Sequence, residues 1–406
     1  MRLRILVLAL GTFALGTDGF VIAGILPAVG HDLAIPAAVT GQLITAFALT
    51  YAIGAPVLAV LTSDLARKRL LILSLAGFAG ANVLAALAPS YGVLMLARML
   101  AACCAALYTP NASAAAVALA PAEARGRALA LVTAGLTVAT VLGVPLGTWI
   151  GTTLSWRATF WLVVVLGVLA AVGVMALFPE IANPPATPLR VRFTLLRQPR
   201  ILTALSLTVV ALAGVFTMYT YIAPLLLGVT HLGGAGISVM LLLFGLAGVA
   251  GNALGGQGAD RWGAFRTLIP AISIVALVLV LLPFAATSAL GAALMLLIWG
   301  IAGWTFTPVQ QYRLLALAPA QPGIILSLNA SAIYLGIGLG AALGGLVVHG
   351  GSFVLLGLVA ALWQVVALGI LFVSARQGAA LSARPEALVT AEARVPSPTK
   401  EHTAVR

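Results

Sequence analysis

Charge is what this sequence has least of. Only 7% of its 406 residues are Asp, Glu, Lys or Arg, while 62% are hydrophobic. A water-soluble domain carries about 25% charged residues. There are too few charges here to cover a globular surface in water, so lipid must solvate most of the chain. Acids are scarcer still, at nine against 21 basic residues, for a net charge of +12. That excess is scattered through short segments between apolar runs, which excludes a nucleic-acid-binding face. The two cysteines, Cys103 and Cys104, are adjacent within an apolar run. Neighbours on a helix point about 100° apart, so they read as packing residues rather than as a disulfide or metal site. The histidines (His31, His231, His349 and His402) fall at the ends of apolar runs or in the tail. Without a histidine, a nucleophile–base pair or a metal-ligand cluster inside the runs, no enzyme is expected. An ATP-driven pump would need G-x-x-x-x-G-K-[ST], which is absent. A removable signal peptide is not expected either, because the first apolar run is long and many others follow it.

What the sequence has is apolar runs long enough to cross a bilayer, which takes roughly 20 helical residues. They fall at 5–29, 39–61, 70–88, 91–119, 128–152 and 158–178, then at 201–228, 235–257, 267–286, 289–317, 324–348 and 352–374. Twelve spans are therefore expected, as an N-terminal six-helix bundle over 1–178 and a C-terminal one over 201–374. Between them, 179–200 is Pro-rich and basic and reads as a cytoplasmic linker. The polar segment 375–406 reads as a disordered cytoplasmic tail. An even number of spans puts both termini on one side. All but three of the 21 Lys and Arg residues then share that side; the exceptions are Arg157, outside, and Arg98 and Arg313, within spans. The bias of basic residues towards the cytoplasm makes both termini cytoplasmic, in a multi-pass protein of the inner or plasma membrane.

One acid does not fit a loop. Asp32, Asp64, Glu123, Glu180 and Asp260 lie between spans and Glu386, Glu392 and Glu401 in the tail, whereas Asp18 sits in the middle of "GTFALGTDGFVIAGILPAVG". A carboxylate at the bilayer centre costs about 2.5–3.5 kcal/mol on insertion scales, and such residues are usually functional. Asp18 lies about 20 Å from the cytoplasmic end of its helix, at 1.5 Å per residue. Arg98, entering from the other side in the fourth span, comes to the same level.

The chain also repeats itself. At an offset of 196 to 198 residues Asp64 falls on Asp260, Pro27 on Pro224, Gly143 and Gly147 on Gly340 and Gly344, and "YTPN" at 108–111 on "FTPV" at 306–309. Two six-helix halves related by an axis along the membrane normal are one of the transporter plans, with substrate held between them near the midplane.

Four stretches carry a family resemblance. "GLTVATVLGVPLGTWIGTTLSWRATF" at 135–160 resembles the fifth-helix motif of drug:proton antiporters, with Gly143, Pro145, Gly147 and Gly151 in place. "GGQGADRWGAFR" at 255–266 is similar to the cytoplasmic loop motif of the major facilitator superfamily, with Gly256, Asp260, Arg261, Gly263 and Arg266. Its first-half counterpart, "VLTSDLARKR" at 60–69, keeps Asp64 and Arg67 but has Val60 and Leu65 where the motif has Gly and Arg. In the fourth span "LMLARMLAACCAALYTPN" keeps the family's arginine as Arg98. The chain thus resembles the twelve-span drug:proton antiporters of that superfamily, and among them the chloramphenicol-resistance and arabinose-efflux-like permeases.

The resemblance implies an all-α membrane protein of two pseudo-symmetric six-helix bundles, a monomer, that exports small hydrophobic drugs, amphenicols among the candidates, in exchange for protons. It places the first and fourth helices together on the cavity side, which makes Asp18 and Arg98 a proton-coupling pair. No cofactor is expected beyond the coupling proton, and the partners are a small-molecule substrate and the lipid bilayer. Candidate cavity residues are Tyr108, Asn111, Tyr219, Tyr221, Trp304, Gln310 and Asn329. Candidate gating residues are Asp64, Arg67, Gly143, Pro145, Gly147, Gly256, Asp260, Arg261 and Gly263. The acids of the two loops would latch the cytoplasmic side, and the glycine groove would let a neighbouring helix approach closely. Two alternatives remain open: efflux of a sugar or nucleoside, which needs a cavity richer in hydrogen-bonding groups, and a non-transporting receptor or scaffold, for which linker and tail are short.

Overall fold

The computed structural model describes residues 2–179 and 194–392, without the side chains of 122 and 378–392. Among the described residues there are helices and no strands. Twelve are long and apolar enough to cross a membrane: α1 (Arg2–Asp32), α2 (Ala37–Leu61), α3 (Arg67–Ala86), α4 (Tyr91–Leu119), α5 (Arg125–Thr153) and α6 (Trp156–Leu177), then α7 (Pro199–Gly228), α8 (Gly234–Trp262), α9 (Ala264–Ala285), α10 (Ala289–Leu317), α11 (Pro322–His349) and α12 (Phe353–Gln377). Helices are forced here by the solvent. Lipid offers backbone groups no hydrogen bonds, so each span must satisfy its own.

Proline decides where two of them deviate. Pro145 has no N–H to give the turn before it, and α5 widens into a π turn over Ala139–Gly143. Pro224 likewise follows the break at Thr220–Tyr221 that divides α7. Beyond its span α12 stays helical as far as Glu392. The Ala, Leu and Arg residues of that stretch favour helix. The remainder, 393–406, and most of the expected linker, 180–193, lie outside the described residues. The end of the linker carries Leu195, which is buried against Leu205, Leu314 and Ala318 of the second half.

Packing repeats with the sequence. In the first half α1 packs on α5 and α6, α2 on α4, and α3 on α4 and α6. In the second, α7 packs on α11 and α12, α8 on α10, and α9 on α10 and α12. Each pairing has its counterpart six helices later. Two seams join the halves, α2 with α11 and α5 with α8, and these are also exchanged by the repeat. The chain therefore forms two pseudo-symmetric six-helix bundles.

The seams close on one face. Gly345 meets Ala38 and Gln42, Gly338 meets Ala48 and Leu49, Gly234 meets Thr152 and Gly245 meets the backbone of Thr140 and Val141. Phe20 of α1 stacks on Phe216 of α7, with ring centroids 6.1 Å apart. All these contacts lie towards the face that carries Asp32, the far end of α1. Towards the opposite face, where the chain begins, the α2 residues Ile53, Val57 and Leu61 are exposed.

Candidate functional site

A glycine groove places the first functional side chain. Gly143, Gly147 and Gly151 recur one turn apart along α5, and α1 seats Thr17, Val21 and Ile25 against them, also one turn apart. A methyl group on Gly147 would stand 2.7 Å from Val21 Cγ2, and one on Gly151 2.6 Å from Ile25 Cγ2. Only glycine permits this approach. Thr12 ties the same helices together by donating to the Val132 carbonyl at 2.6 Å. Tyr108 ties α4 to α1 by donating to the Leu8 carbonyl at 3.0 Å, its ring lying against Gly11. With α1 clamped on both flanks, Asp18 points at α4.

There it meets Arg98. Nη1 of Arg98 lies 2.5 Å from Asp18 Oδ1, and Nη2 donates to the Asp18 backbone carbonyl at 3.2 Å. Both side chains are fully buried, at 0% and 1% exposure. Oδ2 of Asp18 and Nε of Arg98 have no hydrogen-bond partner. The carboxylate thus keeps one oxygen free for a proton. Two opposing effects act on it: burial favours the neutral acid and the guanidinium favours the anion. The guanidinium also lies over the Phe47 ring of α2, 4.4 Å from its centroid.

Three residues of this site were not among the sequence candidates. Phe47 and Tyr51 stand one turn apart on α2, and Tyr334 of α11 reaches them from the other half. Tyr334 stacks on Tyr51 with centroids 3.7 Å apart and lies 6.3 Å from Phe47. The aromatic spacing on α2 is a visible signal; that α11 covers it is not, because nothing local encodes a contact between halves.

The candidate cavity residues do not form one surface in this state. Tyr108 is sealed between α4 and α1, and Tyr221 donates to the Ala341 carbonyl at 2.9 Å inside the second half. Gln310 donates to the Ala204 carbonyl at 2.6 Å and to Thr208 at 3.1 Å, and Thr208 donates to Asn329 Oδ1 at 2.9 Å. Gln310 and Asn329 are both buried by this network. Tyr219 sits in an aromatic cluster with Phe216, Phe244 and Trp299. Asn111 and Trp304 keep partial exposure, with Asn111 bonded to the Leu107 carbonyl. An apolar groove of about 370 Å³ opens between α2 and α4, lined by Leu49, Thr50, Ile53, Gly54, Val57, Leu58 and Cys103; none of the seven candidates lines it.

The loop acids are not latched. Asp260 and Arg261 are exposed, and Asp64 is exposed beside the Ser63 hydroxyl. Arg67 is buried with its Nε unpartnered. Gly256 faces open space, while Gly263 turns the chain from α8 into α9 with φ 83° and ψ 161°, a conformation open only to glycine. Among the described residues the only other ion pair joins Asp32 to Arg157 at 2.5 Å, with the Trp156 indole also donating to Asp32 at 3.0 Å. The "SWR" after α5 thus fastens α6 to the end of α1.

Known proteins match this architecture. The sequence model of the Major Facilitator Superfamily matches residues 8–328. The inner membrane transport protein YdhP of Escherichia coli strain K12 is 35% identical over 376 residues, covering 92% of this chain and 96% of YdhP. The MFS-type transporter YbcL of Bacillus subtilis strain 168 is 34% identical over 365 residues, 90% of this chain and 94% of that protein. A chloramphenicol resistance protein of Streptomyces lividans is 37% identical over 265 residues, 64% of this chain and 68% of its own length. The fold is also similar to a bacterial homologue of the human lysosomal transporter Spinster, solved in an inward-facing, unoccupied conformation, with a TM-score of 0.71 at 19% identity over 92% of this chain and 96% of that one. Twelve spans in two repeated bundles, one buried ion pair between α1 and α4, and a family match over most of the chain lead to one assignment: this chain is a membrane transporter of the Major Facilitator Superfamily.

Proposed function

We propose that this transporter exports small hydrophobic drugs in exchange for protons by alternating access, with Asp18 as the proton site and Arg98 as its switch. The observation that carries this reading is the buried pair itself. Asp18 is the one acid deep in a span, it is held by a single guanidinium, and its second oxygen is free. Protonation cancels the attraction, and any ligand or helix shift that draws Arg98 away raises the proton affinity. Proton and substrate then favour different states of one protein, as antiport requires.

With both termini in the cytoplasm, as the distribution of basic residues indicates, the closed seams face outwards and the parted ends face inwards. A hydrophobic substrate is favoured because Tyr108, Tyr221, Gln310 and Asn329 spend their hydrogen bonds within the protein. That leaves few groups to recognise a sugar or nucleoside. The similarity to a chloramphenicol resistance protein supports amphenicols as the first substrates to try. The protein acts as a monomer in this reading, with no cofactor other than the proton.

The test is proton flux in liposomes containing the purified transporter. Adding an amphenicol should release protons from the wild-type protein, and Asp18→Asn should remove both that release and pH-gradient-driven uptake while the protein is still produced. Proton release on adding sugars or nucleosides, and not drugs, would replace the substrate assignment. Undiminished flux in Asp18→Asn would remove the proton site.

A further inference from the structure

Arg98 and Asp18 belong entirely to the first half, and so does Phe47, which covers Arg98, but the ring that meets Phe47 comes from the second half. Tyr334 lies on Tyr51 and against Phe47, and Phe47 carries the Arg98 guanidinium on its face. The rings thus form a continuous chain from the ion pair to the α2–α11 seam. Its repeat-related counterpart, the α5–α8 seam, is built differently: there Gly245 lies directly on the Thr140–Val141 backbone. The α2–α11 seam touches a charge through Phe47, which carries the Arg98 guanidinium.

We propose that Tyr334 is a positioning residue that couples the charge of Asp18 to closure of the outer seam. This rests on the proton-site reading above and adds the route by which the proton moves the halves. With Asp18 ionised, Arg98 is compensated and the rings close over a neutral pair. With Asp18 neutral, the guanidinium lies buried without its counter-charge, which is strongly unfavourable. Opening the seam at Tyr334 lets water reach it, so the protonated protein shifts towards the state with α2 and α11 apart. The groups that carry charge or titrate around Asp18 are few. Arg98 comes from α4, Tyr51 from α2 and Tyr334 from α11. α7, which reaches α1 through Phe216 on Phe20, brings Tyr219 beside Phe216. α5 and α6 bring no acid, histidine or lysine; the arginines of α5, Arg125 and Arg127, stand in its first turn, and the one arginine of α6, Arg157, binds Asp32. Even in water a tyrosine titrates only near pH 10, which leaves Asp18 to set any response at lower pH. The contacts of Tyr334 with Tyr51 and Phe47 are made by its ring.

The seam can be read without disturbing these rings. A Cβ built on Gly338 lies 3.5 Å from the Ala48 Cβ, within the range for a disulfide. Ala48→Cys and Gly338→Cys, with Cys103→Ser and Cys104→Ser, make a cross-link reporter in the full-length protein. The oxidant should be one whose rate with a reference thiol pair is known at each pH. Relative to that reference, cross-linking should slow by about fivefold, the low end of coupling between two sites, on acidification through the Asp18 transition. Adding Asp18→Asn should give the slow rate at every pH. Tyr334→Phe should keep the pH response and Tyr334→Leu should remove it. A Tyr334 that only fills space predicts slower cross-linking in Tyr334→Leu with the pH response intact, and that result overturns the proposal. So does a rate independent of pH in the parent reporter. Proton flux in the liposomes decides the proton site separately: flux lost in Asp18→Asn together with an unaltered pH response in Tyr334→Leu rejects the role of Tyr334 alone.

Discussion

Asp18 and Arg98 bury one charge of each sign and leave one polar atom of each without a partner. Such a pair adds little to stability as a whole, but removing one member is costly because the other charge stays behind. Arg98→Gln should therefore lower stability by about 3–5 kcal/mol, seen as a fall in the thermal unfolding midpoint in detergent. The double variant Asp18→Asn/Arg98→Gln should recover most of it. Asp32 and Arg157 behave differently. Their side chains are 45% and 34% exposed, and solvent screens the attraction. Arg157→Ala should cost no more than about 1 kcal/mol, a small fall in the same midpoint, although it loosens α6 from the end of α1. The rarity of charge made the first pair readable from the chain. Asp32 gave no such signal, since an acid at a helix end is ordinary.

At the scale of elements, the fit between α1 and α5 is the most demanding. Knobs at Thr17, Val21 and Ile25 enter spaces that exist only because Gly143, Gly147 and Gly151 lack side chains. Gly147→Ala should destabilise the protein by about 1–3 kcal/mol, as overpacking does. Adding Val21→Ala should cost less than the sum of the two single changes, a coupling that a double-mutant cycle measures directly. Gly263 is the second constrained point, held at positive φ between α8 and α9. Gly263→Ala should cost about 1–3 kcal/mol in backbone strain, readable as a lower unfolding midpoint with no change in the pH dependence of transport. The groove was visible as a spacing of glycines, and its partner was not. That α1 fills it follows from the arrangement of whole helices.

At the scale of the molecule, two bundles meet along two seams on one face and part towards the other. The exposed Asp64 and Asp260 mark the parted face. With the native cysteines replaced, Asp64→Cys and Asp260→Cys should react with a membrane-impermeant maleimide in inside-out vesicles and not in intact cells. Labelling of intact cells would invert the orientation and with it the direction of transport. A bulky side chain at Gly245 should wedge the α5–α8 seam, where even a Cβ would stand 2.5 Å from the Thr140 carbonyl oxygen. Gly245→Leu should then expose Phe216→Cys to the same reagent from outside.

Amino-acid order alone determined the solvent, the number of helices and the repeat, because lipid leaves a chain this apolar no other way to satisfy its backbone. It also singled out Asp18, since a lone charge in hydrocarbon must be held by something. Only the tertiary structure decided which groups face each other across the molecule. Tyr108, Tyr221, Gln310 and Asn329 looked like cavity residues by chemistry, and each is sealed by a partner on another helix. Tyr334 was not a candidate, and its ring stacks on Tyr51 and meets Phe47, the ring that carries the Arg98 guanidinium. A buried polar group and a cavity-facing one have the same composition; what separates them is the neighbour that packing supplies, often a hundred or more residues away along the chain.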